Sequence, residues 1–179
     1  MRGRTFAFGV FGALACVAAP AAAVTDEQAE CVARVAPASF AARLAASMVG
    51  GAASAAEKEP LLRQLATISE ACAEMTGIPA DRRQAYFDYW LARIPRDELA
   101  RQLVAAGIPL EPIDDILDLG PGRSNPAIQG VTDAQAALIS ASLKARGVAV
   151  DRIDEATWNK LGGYIAGTSL LFQRLRALP

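Results

Sequence analysis

Residues 61–75 read LLRQLATISEACAEM, and Leu61, Leu65, Ile68, Cys72 and Met75 recur at helical spacing on one face. That spacing predicts an amphipathic helix with a thiol on its inner side. The same reading extends outward in both directions. Ser54 and Glu57 stand at capping-box spacing, and Pro60 fits the first turn that follows. Gly77 stops the helix. Pro79 begins another that runs to Ile94, with Pro95 marking its end. Asp97 opens a further segment, with Leu99, Leu103 and Val104 inward and Gly107 as its stop.

Upstream, Thr25 and Asp26 are good caps for a helix to about Ala36. Pro37 begins a second helix carrying Phe40, Leu44 and Met48, ended by Gly50 and Gly51. Downstream, Pro112 to Leu119 makes a short helix. Gly120 to Pro126 then gives the strongest loop signal, and residues 120–131 are expected to form a hinge. Thr132 and Asp133 cap a helix to about Arg146. Asp154 or Thr157 opens the last one, with Trp158, Leu161, Ile165, Phe172 and Leu175 as its apolar series. No segment sustains period-two alternation, and alanine dominates the composition. The expectation is an all-α fold, an irregular bundle of about seven or eight short helices forming a single domain over residues 24–179.

The chain opens with Arg2 and Arg4, an uncharged run from Phe6 to Ala19, and Pro20 before Ala21, Ala22 and Ala23. Residues 1–23 have the layout of a cleaved signal peptide. Removing them leaves 156 residues with 16 basic and 19 acidic side chains, a net charge of −3. Arginine outnumbers lysine fifteen to three, a bias typical of GC-rich bacterial genomes, so the expected destination is the periplasm or the exterior. Cys16 offers an alternative lipoprotein site. No stretch after Val24 is long enough to span a bilayer; Leu161 to Phe172, between Lys160 and Arg174, reads as a buried helix. No basic stripe suits nucleic acid.

After cleavage, Cys31 and Cys72 remain, an even count that reads as one disulfide in an exported chain. Cys31 lies beside Val32 and one turn before Val35, so both thiols point inward from different helices. Closing that loop is worth about 4 kcal/mol on the chain-entropy account. Neither C-x-x-C spacing nor further metal ligands accompany the pair, and the chain contains no histidine. No metal and no cofactor are expected.

The most distinctive cluster is Tyr86, Phe87, Asp88, Tyr89 and Trp90, which holds four of the eight aromatic residues after position 23. On a helix, Phe87, Trp90 and Ile94 fall together as a core strip. Arg82, Tyr86, Tyr89 and Arg93 form an adjoining strip of phenols and guanidinium forks. That composition is typical of interface anchors, so these four are the candidate partner-binding residues. Glu111, Asp114, Asp115 and Asp118 form an acidic group without the ligand pattern of a calcium loop. Gly163 and Gly167 are spaced for close helix approach or a self-association face. Thr25 to Ala29 is similar to Thr132 to Ala136, as ordinary capping chemistry or a distant duplication would produce.

Lack of histidine removes Ser–His and Cys–His catalysis and typical catalytic zinc sites. No catalytic residues are assigned. The reading is a small exported helical protein that binds another protein or an envelope component. A carboxylate-dependent cell-wall glycan hydrolase and a lipid-anchored accessory protein are its alternatives.

Overall fold

A computed structural model describes residues 26–49 and 55–176. The expected signal peptide over residues 1–23, Cys16, Thr25, Ser54 and Gly50–Gly51 lie outside them. Within the described residues the protein is all-helical: α1 (Asp26–Val35), α2 (Phe40–Met48), α3 (Ala55–Met75), α4 (Arg83–Ala105), α5 (Glu111–Leu117), α6 (Asp133–Ala145) and α7 (Glu155–Leu175). Two 3-10 turns, Ala80–Arg82 and Val150–Arg152, precede α4 and α7. Among the described residues, no helix is long and apolar enough to cross a membrane.

Helix α3 buries Leu61, Leu65 and Cys72 as its spacing requires. Met75 ends the series exposed, because the chain turns away at Gly77. Cys72 bonds Cys31 across a Cα separation of 5.8 Å, pinning α1 to α3. Helix α2 starts at Phe40 rather than Pro37, and it buries Ala45 and Ser47 while Met48 is exposed. At the other end of the chain, Leu175 is also exposed.

The largest departure from the sequence reading is at Pro95. The two helices expected on either side of it are one, the 23-residue α4. A proline inside a helix forfeits a backbone hydrogen bond and costs about 3 kcal/mol. Packing on both sides offsets that cost. Before Pro95, Tyr86, Trp90 and Ile94 join an apolar cluster with α1, α2 and α3. After it, Leu99 and Leu103 join a second cluster with α5, α6 and α7. Pro95 is itself buried at the junction.

Helix α4 packs most extensively on α7, and this pair is the spine of the fold. The glycines of α7 make the approach possible. A Cβ on Gly163 would meet Leu99 and Val49 methyls at 3.1 Å, and one on Gly167 would meet the Arg96 Cβ at 3.1 Å. Gly163 and Gly167 therefore face α4, within the chain. Gly162 borders open space. Gly162→Ala should stabilise the protein by about 0.5–1 kcal/mol through helix propensity. Gly167→Ala should destabilise it despite the same propensity gain, because the opposing Cβ is fixed to the α4 backbone. Urea melts of the two variants check this: equal shifts in both would contradict the close contact.

The loop after α5 is bonded at several points. Asn125 is buried, and its side chain bonds Gly120 N–H, Gly120 C=O and Arg123 C=O at 2.7, 2.8 and 2.9 Å. Ser169 Oγ on α7 donates to Pro126 C=O and accepts from Ile128 N–H. Arg176 donates to Asn125 C=O. The segment expected as a hinge is thus fastened to α7.

One local pattern occurs twice. Gly77-Ile78-Pro79-Ala80-Asp81-Arg82 and Gly147-Val148-Ala149-Val150-Asp151-Arg152 each follow a helix with glycine at positive φ, 71° and 83°. Ile78 N–H bonds Ala73 C=O and Val148 N–H bonds Leu143 C=O, the same C-terminal cap in both. Each leads through a 3-10 turn into one helix of the α4–α7 pair.

Candidate functional site

The strip Arg82, Tyr86, Tyr89, Arg93 does not lie open on the surface. Arg82 sits in the 3-10 turn before α4, half-buried. Tyr86 is fully buried and Tyr89 is 6% exposed. Helix α1 lies over them. Tyr86 Oη donates to Gln28 C=O at 2.7 Å, and Arg93 Nη2 donates to Glu30 at 2.7 Å. The phenol can be buried because its hydroxyl finds a backbone acceptor, the usual condition for a buried tyrosine. Burial raises the Tyr86 and Tyr89 hydroxyls above the ordinary phenol pKa. Phe87, expected in the core, is only partly buried against the same cluster.

Trp90 is the hub of this face. The Tyr86 and Tyr89 rings meet it edge-on, with centroids 6.3 and 5.3 Å away. The Arg93 guanidinium stands 4.9 Å from the Trp90 ring centroid and donates to Tyr89 Oη at 2.9 Å. Burial pulls the Arg93 pKa down, but the bond to Glu30 and the nearby charges more than reverse it. Arg93 is a cation fixed over two aromatic rings.

Beside Arg93 opens a cleft of about 310 Å³ between the α1–α2 turn and α4. One wall is Ala33, Ala36, Pro37, Ala38 and Ala41; the other includes Trp90 and Ile94. Its rim on α4 carries Arg93, Asp97, Glu98 and Arg101. These charges bond one another: Arg93 Nε to Asp97 at 3.4 Å, and Arg101 to Glu98 at 2.6 and 2.9 Å. Arg101 lowers the Glu98 pKa through those bonds. Of the four residues proposed from sequence, only Arg93 lines the cleft. Alanines along α1 and α2 give no sequence signal, since alanine is also the default helix former.

The acidic group is dispersed among separate partners. Glu111 pairs with Arg146 at 2.9 Å, Asp115 pairs with Arg123, and Asp118 accepts from Ser124 N–H at 3.1 Å. Asp114 enters a cluster that the sequence reading missed. Its carboxylate accepts from Tyr164 Oη at 2.9 and 3.0 Å. Arg96 donates to Tyr164 Oη and to Thr168 Oγ1, each at 3.2 Å. Tyr164 and Thr168 are fully buried one helical turn apart. Among the described residues, no three Cys, Asp or Glu side chains come together as a metal site.

Burial raises the Asp114 pKa above the usual carboxylate value, although Tyr164, Arg96 and Arg123 pull it back. A raised pKa in the folded state means that protonation favours folding. The contribution of Asp114 is therefore full below its ordinary pKa and is lost as pH rises through the raised value. The stability of wild type relative to Asp114→Asn should decline as pH climbs from the carboxylate range toward neutrality. Urea melts across that window check the sign, and a difference that grows in favour of wild type would contradict it.

Comparison of the chain with protein-family models, curated proteins and solved structures gives no match.

Proposed function

We propose that this protein is an exported binding module of the cell envelope, and that the cleft between the α1–α2 turn and α4 takes a neutral apolar side chain from a polypeptide partner. One observation carries the reading: an alanine wall faces Trp90 and Ile94 beneath a rim whose charges are already paired within the chain. An incoming charge would have to compete with those bonds. An apolar group needs only to displace water. The leader and the crosslinked cysteines support the exported part of the reading.

Glycan hydrolysis draws less support from the same geometry. A glycosidase sets two carboxyl groups across the scissile bond. Here Asp97 and Glu98 are neighbours on one wall, and the facing wall lines the cleft with alanines and Pro37.

The test is a displayed random peptide library panned on the oxidised protein, with Ala33→Leu as the counter-variant. Ala33 is exposed, so leucine there fills the cleft while stability stays within about 0.5 kcal/mol. Selected peptides should share one bulky apolar residue and lose about tenfold in affinity for the variant. A consensus indifferent to Ala33→Leu would contradict the site.

A further inference from the structure

We infer that the Cys31–Cys72 disulfide is the switch that assembles the cleft, so that binding there is gated by thiol oxidation. This rests on the cleft reading above and adds its regulation.

Helix α1 supplies one end of the alanine wall and packs on α3, with Val32 fully buried and Cys31 crosslinked to Cys72. It has 10 residues, short of the roughly 12–15 needed for a helix to persist alone in water. Of its described side chains, only Cys31 and Val32 are buried; Ala33, Arg34 and Val35 all face solvent. Its polar attachments include Tyr86 Oη to Gln28 C=O, Gln28 Nε2 to Thr76 C=O at 3.1 Å, and the partly exposed Arg93–Glu30 pair. The α4–α7 spine is anchored separately, through the second apolar cluster and the Gly163 and Gly167 contacts. Losing the crosslink therefore frees α1 and leaves that spine folded.

The chemistry is dithiol exchange. A thiolate of an external dithiol attacks Cys31 Sγ, Cys31 being the less deeply buried residue of the pair, 5% exposed against 0% for Cys72. The Cys31–Cys72 bond breaks, and Cys72 leaves as a thiolate and takes a proton. The second thiol of the reagent then displaces Cys31, so the reagent ends as a disulfide and the protein as two thiols. Oxidation by a disulfide reagent runs the same steps backward and closes α1 over Tyr86 and Trp90.

Hydrogen exchange on the full chain tests this, with the oxidised protein, the protein reduced by dithiothreitol, and Cys31→Ala/Cys72→Ala. In both crosslink-free forms, amides of residues 28–35 should exchange near the rate of unstructured chain. Amides of Trp90–Leu103 and Tyr164–Leu171 should keep at least about a hundredfold protection. Reoxidation of the reduced protein should restore α1. Persistent protection of α1 without the crosslink, or its loss together with α4 and α7, would overturn the inference. A selected peptide should bind only the oxidised form. If α1 is released and the peptide still binds equally, the gating is contradicted and the cleft is not the peptide's site, although the crosslink still governs the order of α1.

Discussion

Trp90→Ala should cost about 3–5 kcal/mol, a loss comparable to the whole stability of a small domain. Trp90 is 1% exposed and stands where α1, α2 and α3 meet α4. Removing it deletes the ring that Tyr86 and Tyr89 meet edge-on and over which Arg93 is held. The cavity left cannot collapse easily, because α1 is pinned to α3 by the disulfide. Trp90→Phe keeps an aromatic ring and should lose much less. Denaturant melts of both variants separate the effects; a Trp90→Phe loss as large as that of Trp90→Ala would contradict the stabilising role of the retained ring.

Asn125→Ala should cost about 3 kcal/mol, unusually much for a loop residue. The side chain satisfies both the N–H and the C=O of Gly120. Leaving the buried Gly120 N–H unpaired costs about 1–3 kcal/mol, while its C=O keeps only the 3.3 Å bond from Arg123 N–H. Asn125 also holds φ at 49°, a left-handed conformation that asparagine tolerates better than alanine. Asn125→Gly separates the two causes. It restores the backbone freedom and still loses the bonds, so it should recover only part of the stability. Full recovery in thermal or urea melts would assign the effect to the backbone alone.

The crosslink was legible because both of its ends are set by local periodicity. Cys72 continues the Leu61–Leu65–Ile68 face, Cys31 sits beside Val32, and no other cysteine follows residue 23. The Thr132 cap was legible for the same reason: its hydroxyl accepts from Gln135 N–H three residues away. Pro95 was misread because its local cost is real, and what outweighs it comes from two clusters built by distant helices. Tyr86, Tyr89 and Arg93 lie along α4, with Arg82 in the turn before it, and both tyrosines are buried. A helical period fixes which side chains lie together, but which strip is covered depended on α1, whose Gln28 lies 58 residues from Tyr86. The Asp114–Tyr164–Arg96 cluster left no mark in any window, since its members are 50 and 68 residues apart.

The most direct test of the account is an amide and indole chemical-shift map of the oxidised, isotope-labelled protein titrated with a peptide selected on it. Shifts should concentrate at residues 33–41 and 90–101, including the Trp90 indole N–H, and should weaken in Ala33→Leu. Shifts centred instead on α6 or on the turns at Gly107 and Gly147, with Trp90 unmoved, would contradict it.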